Sequence, residues 1–164
     1  SGYDISGQAV YDGMARAVWP GRFEVIGRSP VFVMDGAHNP DAAGRLADSI
    51  KLYFTNRRIL YIMGILADKD YRKVTELTAS LADRIYAVTP ENPRALPAKE
   101  LAACIEETRG ESGFTGQVRA EESLKDAVRD ALAEARRDDV IVAFGSLSYL
   151  GKLKETLKEI TCNG

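Results

Sequence analysis

The sequence predicts an α/β fold: a Rossmann-like, mostly parallel sheet of about six strands, the first of them antiparallel, with helices on both faces. Three observations carry this. From Val31 onward, short apolar runs alternate with amphipathic segments, the pattern of right-handed βαβ units. Val140-Ile141-Val142-Ala143-Phe144 is an unbroken apolar run, as expected of a strand covered on both sides. Asp35-Gly36-Ala37-His38-Asn39-Pro40 reads as a tight passage from strand to helix. Gly36 permits the turn, Asn39 stands where a helix N-cap belongs, and Pro40 takes the first helical position, where a missing N–H costs nothing.

The elements follow in order. Residues 1–5 show no pattern. A helix is expected over Ser6–Val18, capped by Ser6, with Val10, Met14, Ala17 and Val18 as its apolar stripe. Trp19-Pro20-Gly21-Arg22 breaks it and marks a hinge. Phe23–Gly27 and Val31–Asp35, joined by Arg28-Ser29-Pro30, read as an antiparallel hairpin. Ala43, Leu46, Ile50 and Phe54 are spaced as the buried face of a helix from about Pro40 to Phe54. Then come a strand at Arg58–Met63, a helix near Tyr71–Leu81, a strand at Ile85–Thr89 and a helix from Pro97 to about Thr108. Gly110–Gly116 reads as a glycine-rich loop and Gln117–Ala120 as a weak edge strand. Ser123 caps a helix carrying Leu124, Val128, Ala131, Leu132 and Ala135. After the Val140–Phe144 strand and the turn Gly145-Ser146-Leu147-Ser148, a helix over Tyr149–Ile160 closes the pattern.

In such sheets ligands bind beyond the carboxyl ends of the strands. That edge would carry Asp35 to Asn39, Gly64 to Asp70, Thr89 to Arg94, and Gly145-Ser146. The opposite loops, Thr55-Asn56-Arg57-Arg58 and Arg136-Arg137-Asp138-Asp139, read as solvated connectors.

Composition narrows the function. The chain has 164 residues, enough for one full core. Its net charge of -2 argues against general nucleic-acid binding. No apolar run reaches the ~20 residues of a membrane helix. Cys104 and Cys162 stand far apart without metal-like spacing, which suits free thiols in a reducing, cytoplasmic setting.

Motif by motif, much is excluded. No G-x-G-x-x-G follows a strand, and no G-x-S-x-G nucleophile elbow occurs. Gly145 to Leu153 is one residue too long between glycines for a Walker loop, and Leu153 stands where Ser or Thr should hold Mg²⁺. His38 is the only histidine, so a His-based metal cluster is ruled out. Taken alone, His38 also fits a turn histidine bonded to its own backbone. Asp68-Lys69-Asp70 also fits a solvated turn capping the next helix, Ser146 or Ser148 a cap of the last helix, and Arg22 a surface arginine.

Together, five short motifs in order resemble the carboxy-terminal domain of the folylpolyglutamate synthase/dihydrofolate synthase family, within the wider Mur ligase group. They are Trp19-Pro20-Gly21-Arg22-Phe23-Glu24, Asp35-Gly36-Ala37-His38-Asn39-Pro40, Gly64 with Asp68-Lys69-Asp70, Asn92-Pro93-Arg94-Ala95, and Gly145-Ser146-Leu147. The family often runs Gly-Ser-Leu-Tyr at the last; here Ser148 precedes Tyr149.

The resemblance implies residues 1–22 as a remnant helix and interdomain linker, and 23–164 as the carboxy-terminal domain of a two-domain, ATP-dependent ligase. That ligase adds L-glutamate to a folate or to dihydropteroate through an acyl phosphate. Carried over by position, Arg22 would contact ATP phosphates and Asp35 the ribose hydroxyls, while His38 and Ser146 would hold the incoming glutamate. The Mg²⁺ ligands and the Walker loop would lie in a missing amino-terminal domain, so no catalytic residue is expected here. Nucleic acid and membrane are not expected as partners. Two other readings stay open: another Mur-type amino-acid ligase, and a non-catalytic α/β module binding a nucleotide or a protein.

Overall fold

Strands form where apolar runs are long enough to be covered on both faces, and helices where one apolar stripe repeats. The computed structural model describes residues 22–162; the helix expected at Ser6–Val18 lies outside them. The chain runs β1 (Glu24–Arg28), β2 (Val31–Met34), α1 (Pro40–Tyr53), β3 (Ile59–Met63), α2 (Tyr71–Thr78, continued by a 3₁₀ turn at Ala79–Leu81) and β4 (Arg84–Ala87). It goes on through α3 (Ala98–Glu107), α4 (Arg109–Ser112), β5 (Gln117–Ala120), α5 (Leu124–Glu134), β6 (Val140–Phe144), a 3₁₀ turn (Leu147–Tyr149) and α6 (Leu150–Cys162). The six strands form one sheet in the order β1-β2-β6-β3-β4-β5. Only β1 is antiparallel.

Alternation along each strand feeds two cores. Val33, Tyr61, Met63, Ile85, Val142 and Phe144 point to the face covered by α1, α2 and α3. Phe32, Leu60, Ile62, Tyr86, Ile141 and Ala143 point to the face covered by α5 and α6. Because α1 and α6 leave β2 and β6 toward opposite faces, a crevice opens beyond the carboxyl ends of these neighbouring strands.

The helix ends follow the predicted chemistry. Asn39 Oδ1 accepts the Ala42 N–H at 2.9 Å, with Pro40 at the first position of α1. Asp70 accepts from Lys73 N at 3.1 Å, so the capping role open to Asp68-Lys69-Asp70 is realised, while Asp68 pairs with Arg94 at 2.7 Å. Ser123 Oγ accepts from Asp126 N at 3.1 Å. Ser123→Ala is expected to cost about 0.5–2 kcal/mol. A thermal midpoint unchanged by this substitution would count against the cap.

Two expectations need correcting. The segment read as a loop at Gly110–Gly116 begins inside α4, which ends at Gly113 in the left-handed region (φ 72). Arg109 explains the order: its guanidinium donates to the carbonyls of Phe114 and Gly116 and lies 4.6 Å over the Phe114 ring. The loops opposite the carboxyl edge are not simple solvated connectors either. Arg58 bonds Glu134 and, at 3.1 Å, Asp139, which is only 5% exposed. Arg57 Nε donates to the Asp138 carbonyl at 2.7 Å. A buried carboxylate needs a charged donor, and the arginines of the neighbouring loop supply it.

Candidate functional site

The parallel ladder extends one residue past β2, where Asp35 N donates to the Ala143 carbonyl at 2.9 Å. The chain then turns sharply into α1. Asp35 holds the turn with both carboxylate oxygens: Oδ1 accepts the Ala37 N–H and Oδ2 the Phe23 N–H, each at 2.7 Å. The second bond ties the start of β1 to the end of β2. Phe23 sits there in the left-handed region (φ 47), and its ring stacks on Phe54 and tilts against Tyr53 at the far end of α1. A strained backbone at a non-glycine residue persists only where surrounding contacts hold it; here they are the Asp35 carboxylate and the two aromatic rings.

Burial pushes the Asp35 carboxyl above its ordinary value, opposed by the N–H groups of Phe23 and Ala37 and by the charges of Arg22 and Arg45. Additional donors reaching this carboxylate would offset its desolvation. His38 lies one turn of chain further, with Nδ1 2.7 Å from the Gly36 carbonyl oxygen. The turn-histidine geometry is thus present, and it leaves Nε2 for other partners.

A cavity of about 370 Å³ opens in front of these groups, with Arg22, Phe23, Asp35, His38, Arg45 and Leu147 in its lining. The positive end of the α1 dipole and the two guanidiniums suit anionic ligand groups. Three of the four site residues singled out in the sequence, Arg22, Asp35 and His38, therefore share one cavity. Ser146 does not turn its side chain into it. Ser146 is 4% exposed, and its Oγ accepts from Ser148 N at 3.2 Å and lies 2.7 Å from Ser148 Oγ, capping the 3₁₀ turn. The next residue, Leu147, is 59% exposed and forms the apolar rim.

Arg45 and Leu147 are additions that the sequence reading did not single out. Helical spacing from His38 through Ala42 to Arg45 and Ser49 was the available signal for Arg45. Leu147 had only its place after Gly145-Ser146. Arg45 also pairs with Asp41 at 2.7 Å on the exposed side of α1.

Beneath the edge, Gly64 and Gly145 interlock. Gly64 N donates to the Phe144 carbonyl at 3.2 Å, and Gly145 adopts φ +114 with its missing Cβ aimed at the Gly64 carbonyl. The Tyr149 hydroxyl is buried below them and donates to the carbonyls of Phe144 (2.5 Å) and Ile62 (3.2 Å). Tyr149 therefore braces the ends of β3 and β6, although Ser148 stands between it and the Gly-Ser-Leu run. Among the described residues, no group of three or more His, Cys, Asp or Glu side chains gathers as a metal site. No helix there is long and apolar enough to cross a membrane.

Known proteins resemble the chain in sequence and in fold. Residues 21–147 match the family described as Mur ligase, glutamate ligase domain. The chain is 31% identical over 157 residues to the dihydrofolate synthase/folylpolyglutamate synthase of Escherichia coli K12, covering 96% of this chain and 35% of that protein. It is 35% identical to the folylpolyglutamate synthase of Lacticaseibacillus casei, covering 94% of this chain and 33% of that one. Among solved structures, E. coli FolC in complex with DHPP and ADP superposes with a TM-score of 0.72 at 30% identity, over 99% of this chain and 36% of that chain. A bifunctional folylpolyglutamate synthase/dihydrofolate synthase with Mn, AMPPNP and L-glutamate bound superposes with a TM-score of 0.75 at 26% identity, over 95% of this chain and 36% of that chain. The chain thus spans about a third of the length of these relatives.

Proposed function

Since the chain belongs to the Mur ligase, glutamate ligase domain family, we propose that it serves as the carboxy-terminal domain of an ATP-dependent folylpolyglutamate or dihydrofolate synthase. Residues 1–22 form the link to an amino-terminal domain and 23–164 the domain itself. The observation that carries this reading is the shared cavity at the carboxyl end of β2, where two arginines, an acceptor carboxylate and the single histidine converge. The relatives solved with ADP, AMPPNP, Mn and L-glutamate support the choice of ligands.

Arg22 contacts the ATP phosphates, offsetting charge in phosphoryl transfer. Asp35 accepts from the ribose hydroxyls through the lone pairs that Phe23 and Ala37 leave free; a neutral diol suits a carboxylate better than phosphate would. His38 and Ser146 help hold the incoming glutamate, Ser146 by shaping the turn that carries Leu147. ATP supplies the activation of a folate or dihydropteroate carboxylate as an acyl phosphate, and the glutamate amine displaces phosphate. Metal ligands for Mg²⁺ belong to the amino-terminal domain on this reading. Closure of the two domains brings amine and acyl phosphate together and excludes water, which would hydrolyse the intermediate.

The test is kinetic, in a full-length enzyme containing this domain. Asp35→Ala should raise the KM for ATP more than that for glutamate, and His38→Ala should do the reverse. Loss of one charge-assisted hydrogen bond corresponds to about 1.5–3 kcal/mol, or roughly ten- to a hundredfold. The 164-residue chain alone should unfold cooperatively yet release no ADP in response to folate and glutamate. Glutamate-dependent turnover by this chain alone, or a His38→Ala enzyme weakened only toward ATP, would defeat the assignment.

A further inference from the structure

The Arg22 guanidinium lines the cavity, yet among the described residues no hydrogen bond or ion pair of its own holds it there. It feels only the charge of Asp35 through space. The reach of such a side chain is set by where the backbone delivers it, and that depends on Phe23. Rotation about the N–Cα bond of Phe23 swings the preceding peptide unit, and Arg22 with it, relative to β1. At φ 47 Arg22 comes to the cavity. In extended backbone, usual for a residue entering a strand, the same bond is turned by roughly 110° or more. That rotation carries Arg22 away from the lining and takes the Phe23 N–H off Asp35.

A bulky aromatic residue takes the left-handed conformation only where something imposes it. Two contacts do so here. Asp35 Oδ2 accepts the Phe23 N–H at 2.7 Å. The Phe23 ring stacks 5.9 Å from Phe54 and tilts 5.6 Å from Tyr53, and the Arg57 guanidinium lies 5.7 Å from the buried Phe54 ring. The first contact comes from the cavity's own carboxylate, the second from the far end of α1. An ordinary strand start needs neither. Strain of this kind gathers at functional sites, and the group that it places here is Arg22.

We infer that Phe23 is a positioning residue for Arg22: the two contacts hold its backbone left-handed, and that backbone turns the guanidinium toward the ligand. The inference rests on the ligase reading above, in which Arg22 meets the ATP phosphates, and adds the device that aims it. On that reading Asp35 is both the clamp on Phe23 and the acceptor for the ribose hydroxyls. Sugar and phosphates are then measured from a single turn, and a nucleotide seated at Asp35 meets an arginine already set in place.

A double-substitution cycle in the full-length enzyme tests this. Phe23→Ala removes the ring but keeps the Cβ that disfavours φ 47, so the backbone relaxes. The kcat/KM for ATP should fall roughly ten- to a hundredfold, as for loss of one hydrogen bond to a charged group. With Arg22 already replaced by alanine, Phe23→Ala should change it by no more than about twofold. A ring that serves packing alone costs the same in both backgrounds, and that result would overturn the inference. Glycine takes a positive φ without penalty, so Phe23→Gly should be about threefold more active than Phe23→Ala. The opposite order, usual in a strand, would also overturn it. On the 164-residue wild-type chain a strong intraresidue amide–Hα NOE is expected at Phe23; a weak one, as in extended backbone, would overturn the inference with no variant made. Arg22→Ala with the ATP kinetics of the wild type would defeat the ligase reading of Arg22 and the inference with it. A strong NOE at Phe23 would then place the fault in that reading and not in the geometry of the turn.

Discussion

Gly145→Ala is expected to lower stability by about 3–5 kcal/mol and the thermal midpoint by roughly 10 °C. Two independent causes add. The residue sits at φ +114, a conformation that L side chains rarely adopt. The added Cβ would stand 2.5 Å from the Gly64 carbonyl oxygen and 3.0 Å from its carbon, both backbone atoms of the adjoining strand end. Relief requires parting β3 from β6, whose ends are also braced by Tyr149. Gly44→Ala is the matched control: Gly44 lies within α1 with open space around it. It should gain about 0.5–1 kcal/mol through helix propensity and reduced freedom of the unfolded chain. Urea unfolding of both variants beside the wild type decides the matter. Equal midpoints for Gly145→Ala and wild type would mean that the turn is not built as described.

The second large effect lies at the opposite edge. Glu134 accepts from the Tyr86 hydroxyl at 2.7 Å and pairs with Arg58 and with Arg84 at 3.1 Å. Burial alone would push its carboxyl up, but the hydrogen bonds from Tyr86, Arg58 and Arg84 outweigh it and hold the group below its ordinary 4.5. Glu134→Ala strips one acceptor from three donors and should cost about 2–3 kcal/mol, less than a fully buried pair because all three charged groups are partly exposed. The pH dependence has a definite sign. A depressed folded pKa gives stability that is fully present above the unfolded value near 4.5 and lost as pH falls through the lower folded value. The wild type should therefore lose stability more steeply below pH 4.5 than Glu134→Gln, which cannot titrate there. Parallel acid-unfolding curves for the two would refute the network's contribution.

The expected fold was legible wherever the local signal and the tertiary demand coincide. The Asn39-Pro40 start of α1, the stripe Ala43, Leu46, Ile50, Phe54, and the apolar β6 all appear where spacing and capping put them. What stayed illegible depends on partners distant in sequence. Asp139 looks solvated until Arg58, 81 positions away, folds over it. Thr78, buried within α2, offers its backbone carbonyl to the Tyr61 hydroxyl at 3.2 Å, a partner on β3 that its own segment does not reveal. The candidate site shows the same division. Asp35 and His38 stand out because of the turn chemistry around them. The capping role open to Ser146 could be read from the sequence and is realised at the 3₁₀ turn, whereas the Asp35 bond to Phe23 became visible only in the folded chain.

The strand order carries a consequence for the making of the protein. β6 is the last strand in the chain, yet it is the one that joins β2, through Val31 and Val140, to β3, through Ile59 and Val140. During synthesis from the amino terminus, the hairpin β1–β2 and the trio β3–β4–β5 exist as two sheets with facing unpaired edges until residues 140–144 emerge. Open edges of this kind are templates for pairing with other chains. A nascent chain halted before Val140 should accordingly be caught in a state that chaperones hold or that aggregates, and emergence of residues 140–144 should be followed by one late, cooperative gain of protease resistance. Gradual protection that grows as each βα unit appears would point instead to half-sheets that are stable on their own.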